Sequence, residues 1–263
     1  MSVVFLDNAI VHYEVLGKGR PVFFLHGWVG SWKYWIPSLQ VTSTSYRAYA
    51  LDLWGFGETA HNATAYSLDQ QADMLRAFMD KMGIGKIAIV GHGLGAMVAL
   101  NFARRFQGQN VVDRMMVVNC PVDYGTVSQR LLTSTPADLA DWLSNRVPEV
   151  AAALSDSVKA DPKAIAVSME ELQANNIPGA ARQTNLPCLF VYGQNDLAVP
   201  PPNAEKLNLS HLMHSIVLEG SGHFPMLEET QVFNRLLVDF LALDSGASPQ
   251  ELEIKEEWKR RVR

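Results

Sequence analysis

The stretch Lys86-Ile-Ala-Ile-Val-Gly-His-Gly-Leu-Gly-Ala-Met-Val-Ala-Leu100 constrains this chain more than any other. Ile87 to Val90 is a short, mostly β-branched run bounded by turn residues, which predicts a buried strand. Gly91-His92-Gly93-Leu94-Gly95 predicts a sharp turn, and Leu94, Ala96, Val98, Ala99, Leu100 and Ala103 predict a helix behind it. The spacing is that of a nucleophile elbow, Gly-x-Ser-x-Gly, whose strained turn lifts a hydroxyl above the end of a sheet. Here the hydroxyl position holds Gly93.

Seven more segments read as strands: Val3–Leu6, Ile10–Leu16, Val22–Leu25, Tyr46–Leu51, Met115–Val118, Leu189–Tyr192 and Ser215–Leu218. Asp7-Asn8 suits a turn between the first two. Val22–Leu25 is wholly apolar, as expected of a strand covered by helices on both faces. Helices are predicted over Trp32–Leu39, after the capping pair Ser67 and Gln70, and over Glu229–Leu243. The second places Leu68, Ala72, Leu75, Phe78, Met79 and Met82 on one face and stops at Gly83. The last turns Val232, Phe233, Leu236, Leu237, Phe240 and Leu241 inward.

Between Val122 and Leu186 only helical stretches are legible: Thr126–Leu132, Pro136–Asn145, Pro148–Val158 and Pro162–Ala174. Such a run is too long for a plain loop and reads as an insertion. Alternating strands and helices predict a doubly wound, mostly parallel eight-stranded sheet with right-handed crossovers and a helical cap inserted after the sixth strand. The expected organisation is a core of residues 1–121 and 187–244, a cap of 122–186, and a charged tail of 245–263. That tail reads as a frayed helix or a disordered segment, with Trp258 its one large apolar residue in the last stretch.

With 263 residues, 48% of them hydrophobic, the chain can bury one sizeable core. A net charge of −5 without a basic stripe argues against nucleic acid. Two cysteines are too few for a disulfide framework. No apolar run is long enough for a membrane span, and the first residues lack the basic start of a signal peptide, so a cytoplasmic protein is expected. The seven histidines show no metal-ligand spacing. Gly91-x-Gly93-x-x-Ala96 is close to a dinucleotide fingerprint, but the acidic residue near the required distance, Asp113, precedes a strand instead of ending one. No cofactor is expected.

Ligands of such sheets bind at the carboxyl ends of the strands. Three of those ends carry polar signals: the elbow, Gly193-Gln-Asn-Asp196, and Glu219-Gly-Ser-Gly-His223-Phe. Two more carry His26-Gly27-Trp28 and Asp52-Leu-Trp-Gly-Phe-Gly57. The order elbow, Asp, His is that of a hydrolase triad. Together these motifs resemble the α/β-hydrolase-fold superfamily, of the small, helical-capped esterase and carbon–carbon hydrolase type, over residues 3 to 243.

The resemblance implies roles. Asp196 orients His223, and Gly93 stands at the nucleophile position. The backbone N–H groups of Trp28 and Leu94 face a developing oxyanion. Bland readings stand beside these: Asp196 as a turn residue, His223 as a structural histidine, Gly27 as a tight turn. Asp52 reads as a carboxylate tying down a glycine-rich turn. His26, Gly27, His92, Trp54 and Trp142 are expected around a substrate pocket. Trp28, Trp32, Trp35 and Trp54 either line an apolar mouth or pack between loop and core, and Met169 adds to the apolar lid.

Without a hydroxyl there is no acyl-enzyme, a loss of about 10⁶-fold in kcat in a serine protease that loses its serine. Cys120 ends the neighbouring strand and is a possible substitute thiol, although a buried cysteine is the ordinary case. Ser31 and Ser221 lie on strand-end loops but on no elbow. A water activated by His223 is the better substitute. Three readings follow. The chain hydrolyses a small apolar ester, thioester or ketone without a serine adduct. Alternatively it binds or senses a small apolar molecule without catalysis. In the third reading, Gly93 is an introduced change that disables an ordinary serine hydrolase.

Overall fold

A computed structural model describes residues 2–6, 8–145 and 147–259. All eight expected strands form, at β1 (Ser2–Leu6), β2 (Ala9–Leu16), β3 (Arg20–Leu25), β4 (Tyr46–Leu51), β5 (Ile87–His92), β6 (Val112–Val118), β7 (Cys188–Gly193) and β8 (Met213–Leu218). They make one sheet in the order β1-β2-β4-β3-β5-β6-β7-β8. β1 with β2 and β2 with β4 are antiparallel; every other pair is parallel. Asp7 lies outside the described residues; its neighbour in the expected turn, Asn8, has φ 66°.

The helices α1 (Ile36–Thr42), α2 (Leu68–Met82) and α3 (Leu94–Arg105) link the central strands. The expected helix over Trp32–Leu39 is instead a 3-10 turn, Trp32–Trp35, leading into α1, because Pro37 sits in the first turn of α1 and gives the new helix its start. Ser67 caps α2 by accepting from the Gln70 N–H, and Gly83 ends it at φ 66°. The segment between β6 and β7 holds α4 (Arg130–Thr133), α5 (Pro136–Leu143), α6 (Pro148–Ala153), α7 (Pro162–Ala174) and α8 (Ile177–Gln183). Thr135 and Asp161 cap α5 and α7 ahead of their prolines. α9 (Ala204–Leu207) precedes β8, and α10 (Pro225–Glu228) and α11 (Thr230–Ala242) follow it.

The segment between β6 and β7 departs from expectation in places. The expected helix over Thr126–Leu132 forms only in part: a 3-10 turn ends at Thr126 and α4 starts at Arg130, and between them the Ser128 N–H donates to the Ala198 carbonyl, 2.9 Å away in the loop after β7. α8 escapes a helical reading because Gly179 in its first turn weakens the helical preference and its seven residues are too few to show an apolar period; Asn176 caps it through the Gly179 N–H. The segment after 245 is also more than a free tail over its described part. It makes 3-10 turns at Pro249–Glu251 and Glu256–Lys259, and Trp258 is buried.

Strand order reverses at β3. The chain leaves β3 on one side to form β4, then crosses to the other side to form β5. Right-handed crossovers therefore put α1 on one face and α2 and α3 on the opposite one. A crevice at the carboxyl ends of β3 and β5 is the usual ligand position in such a sheet. His26-Gly27-Trp28 leaves β3 there, and the elbow leaves β5.

Candidate active site

Gly93 is the hinge between β5 and α3, with φ 51° and ψ −111°. A side chain strains this backbone; glycine does not. Its N–H donates to the Val118 carbonyl of β6 at 2.9 Å, and the Gly95 N–H donates to the His26 carbonyl at 3.0 Å. The elbow is thus tied to both neighbouring strand ends. A Cβ placed on Gly93 would lie 3.1 Å from two carbons of the Trp28 indole ring. That ring is fully buried, and its Nε1–H donates to Ser168 Oγ of α7 at 2.8 Å.

Asp196 and His223 come together from the loops after β7 and β8. The His223 Nδ1 lies 3.0 and 2.9 Å from the two Asp196 carboxylate oxygens. Asp196 is itself held, accepting at Oδ1 from the Ala198 and Val199 N–H groups at 2.8 and 3.0 Å. Both side chains are buried. The Nε2 of His223 is buried and has no hydrogen-bond partner. The imidazole is thus fixed at one nitrogen and has the other without a hydrogen-bond partner.

His92, one residue before Gly93, sits with its ring 4.7 Å from that of His223. Both its nitrogens are engaged. Nε2–H donates to the His223 carbonyl at 2.8 Å, and Nδ1 accepts from the Tyr34 hydroxyl at 3.0 Å. The Tyr34 oxygen accepts in turn from the Gly27 N–H. Burial holds the His92 pKa well below the ordinary range, so the ring is neutral. A Cβ on Gly27 would come within 2.8 Å of His92 Nδ1, so this loop lies close against the elbow. His26 is likewise neutral and engaged: Nε2 accepts from the Leu53 N–H and Nδ1–H donates to the Gly27 carbonyl. Neither His26 nor His92 offers a ring nitrogen to a ligand.

The backbone N–H groups of Trp28 and Leu94 have no acceptor among the described hydrogen bonds. Leu94 also opens α3, at the positive end of the helix dipole. Trp54 is buried, and its main chain is held by the Gln71 side chain, whose Oε1 accepts from the Trp54 N–H and whose Nε2 donates to the Trp54 carbonyl, both at 3.0 Å. Trp35 packs against Phe24, Tyr34 and Phe233. Trp142 is placed differently: with Leu143, Leu197, Gly222 and Glu228 it lines a cavity of about 110 Å³ that includes His223. Cys120 is fully buried, and burial raises its thiol pKa well above the ordinary value, so it carries no thiolate. Ser31 donates to Asp156 and Ser221 to the Leu218 carbonyl. Among the described residues no group of three or more His, Cys, Asp or Glu is arranged to hold a metal ion, and no helix is long and apolar enough to cross a membrane.

Three residues at the site escape sequence reasoning. Asn119 follows β6 at φ 43° and donates from Nδ2 to the His223 carbonyl at 2.9 Å while its Oδ1 accepts from Gly193. Its position at a strand end was the available signal. Tyr34 joins Gly27 to His92 from a 3-10 turn and gave none. Glu228, five residues after His223, accepts from the Gly222 and Phe224 N–H groups.

A mostly parallel sheet with a glycine elbow after β5 and an Asp–His pair after β7 and β8 defines an α/β protein of the elbow-bearing class. A family model described as the alpha/beta hydrolase family matches residues 22–236, and the chain belongs to that family. It is 27% identical to 2-hydroxy-6-oxo-6-(2'-aminophenyl)hexa-2,4-dienoic acid hydrolase of Metapseudomonas resinovorans, over 88% of this chain and 87% of that one. A shorter match, 28% identical over 109 residues, is to a soluble epoxide hydrolase of Corynebacterium sp. (strain C12); it spans 41% of this chain and 37% of that protein. Among solved structures, the enol-lactonase of Burkholderia xenovorans LB400 superposes with a TM-score of 0.78 at 20% identity, over 92% of this chain and 100% of the other. At that identity the superposition speaks for the fold alone.

Proposed function

We propose that this chain is a hydrolase of small apolar esters, thioesters or ketones that works without a covalent serine intermediate. The observation that carries the reading is His223: Nδ1 is fixed by Asp196, while Nε2 is buried and unpaired. In the proposed reaction of an ester, Nε2 takes a proton from water as the water oxygen attacks the carbonyl carbon. The Trp28 and Leu94 N–H groups stabilise the resulting oxyanion. Collapse expels the alkoxide, which recovers the proton from Nε2, leaving acid, alcohol and neutral imidazole. The similarity to the dienoic acid hydrolase supports a small organic substrate. Ser168 of α7 reaching Trp28 supports reading residues 122–186 as a lid over the site. Buried free cysteines suit a cytoplasmic setting.

A second reading, ligand binding without turnover, is favoured by the Trp28 ring lying against Gly93. One set of variants separates the two. A panel of p-nitrophenyl and enol esters is assayed with the chain as it stands, His223→Ala and Gly93→Ser. The hydrolase reading expects turnover that falls by about 10²–10⁴-fold in His223→Ala. It expects fluorophosphonate labelling only in Gly93→Ser. Turnover untouched by His223→Ala sinks the general-base assignment; tight binding with no turnover establishes the second reading.

A further inference from the structure

Glu228 ends α10 and turns its carboxylate back over the loop that carries His223. Oε2 accepts from the Gly222 N–H, and Oε1 accepts from the Phe224 N–H at 3.0 Å. These two amides stand on either side of His223. The loop belongs to neither β8 nor α10, so no strand or helix ladder supplies an acceptor for either amide. A carboxylate suits the position because both its oxygens accept and both bonds are charge-assisted. On the other side of the loop, the His223 carbonyl accepts from His92 and Asn119. The imidazole is therefore set by Asp196 at its ring and by a backbone gripped from two directions.

We propose that Glu228 is a positioning residue for His223: its bidentate hold on Gly222 and Phe224 keeps the imidazole in register with Asp196. The inference rests on His223 being the working group of the site. Glu228 never reaches the imidazole and acts only through the backbone. It is half-buried and lines both the cavity of about 110 Å³ that includes His223 and a larger one of about 910 Å³ beneath Ile254 and Trp258.

Glu228→Gln tests this with little change in volume. The amide keeps one accepting oxygen and turns an NH₂ toward the second N–H, so one bond becomes a repulsion. The readout is the Nδ1 proton of His223 in protein labelled with ¹⁵N-histidine. Its exchange with solvent should quicken roughly tenfold or more, and its resonance should move upfield as the Asp196 bond loosens. Ser67→Ala, which removes the α2 cap outside this loop, serves as the control: it lowers stability but should leave that proton alone. An unchanged resonance and exchange rate in folded Glu228→Gln overturns the proposal. Should that variant fail to fold, Glu228→Asp keeps the charge one methylene short. An exchange rate faster than that of the unaltered chain is then expected, and an unchanged one is equally fatal. Hydrolysis plays no part in the readout. A chain that turns nothing over yet shows these changes retains the Glu228 clamp and loses only the general-base reading.

Discussion

Glycine serves two different purposes in the elbow. At Gly91 the constraint is space: a Cβ there would lie 2.3 Å from the Gly95 carbonyl oxygen, and only a backbone shift relieves that. At Gly93 the constraint is mostly conformational, with φ 51° and a side-chain neighbour, Trp28, at 3.1 Å. Gly93→Ala should therefore cost about 1–3 kcal/mol, the usual cost of a side chain in a strained backbone region. Gly91→Ala should cost about 3 kcal/mol or more, or abolish folding, because backbone must move. Urea denaturation of the two variants measures the difference, and equal losses would contradict this account. The same turn explains what was legible in the sequence. Closely spaced glycines after a β-branched run point to one geometry, so the elbow could be read without its hydroxyl. The Trp28 ring over Gly93 could not be read, because its position depends on Ser168, 140 residues away along the chain.

Among the elements, legibility followed how much of each one's shape is set locally. All eight strands were readable because each is a short apolar run between turn residues, and α2 and α11 because their apolar positions recur at helical spacing. The segment between β6 and β7 was read in part. Proline starts mark α5, α6 and α7, whereas the stretch near Ser128 follows a tertiary bond to Ala198 that no local pattern announces. The contact of α7 with the site was equally invisible, and it has a consequence. Ser168 is fully buried; Oγ accepts from the Trp28 indole and donates to the Ile165 carbonyl. Ser168→Ala leaves a buried N–H without a partner, a loss of about 1–3 kcal/mol. The helix itself should persist, since alanine is the better helix former. The expected result is a lower urea midpoint with unchanged far-UV circular dichroism, and a change in tryptophan emission as the Trp28 ring is released. Unaltered emission would mean that α7 does not hold the ring.

For the whole molecule, buried histidines of opposite character set the pH dependence of stability. His26 and His92 are both lowered from the ordinary value of 6.5, in each case by burial first. Their contribution is present above pH 6.5 and is lost as pH falls toward their folded-state values, because the unfolded chain takes up protons that the folded one refuses. His12 behaves in the opposite way. Burial opposes its protonation, but the hydrogen bond and charge of Asp52, with Glu14 adding to them, outweigh burial and raise its pKa above 6.5. Its contribution is complete below pH 6.5 and fades as pH climbs through the raised value. The pair is central to the strand-end loops. Asp52 Oδ2 lies 2.8 Å from His12 Nδ1 and 3.1 Å from the Glu58 N–H, and Oδ1 accepts from the Trp32 N–H at 2.8 Å. Between pH 5 and 8 the two lowered histidines make stability fall on the acid side and His12 makes it fall on the alkaline side, so stability passes through a maximum between these two limbs. His12→Asn keeps a neutral N–H donor within reach of Asp52 and removes the titration. Urea midpoints measured across this range should show the wild-type chain falling on both sides of the maximum. The variant should be less stable at pH 6 and should lose most of the decline on the alkaline side. An alkaline limb unchanged by His12→Asn would place its origin elsewhere than the His12–Asp52 pair.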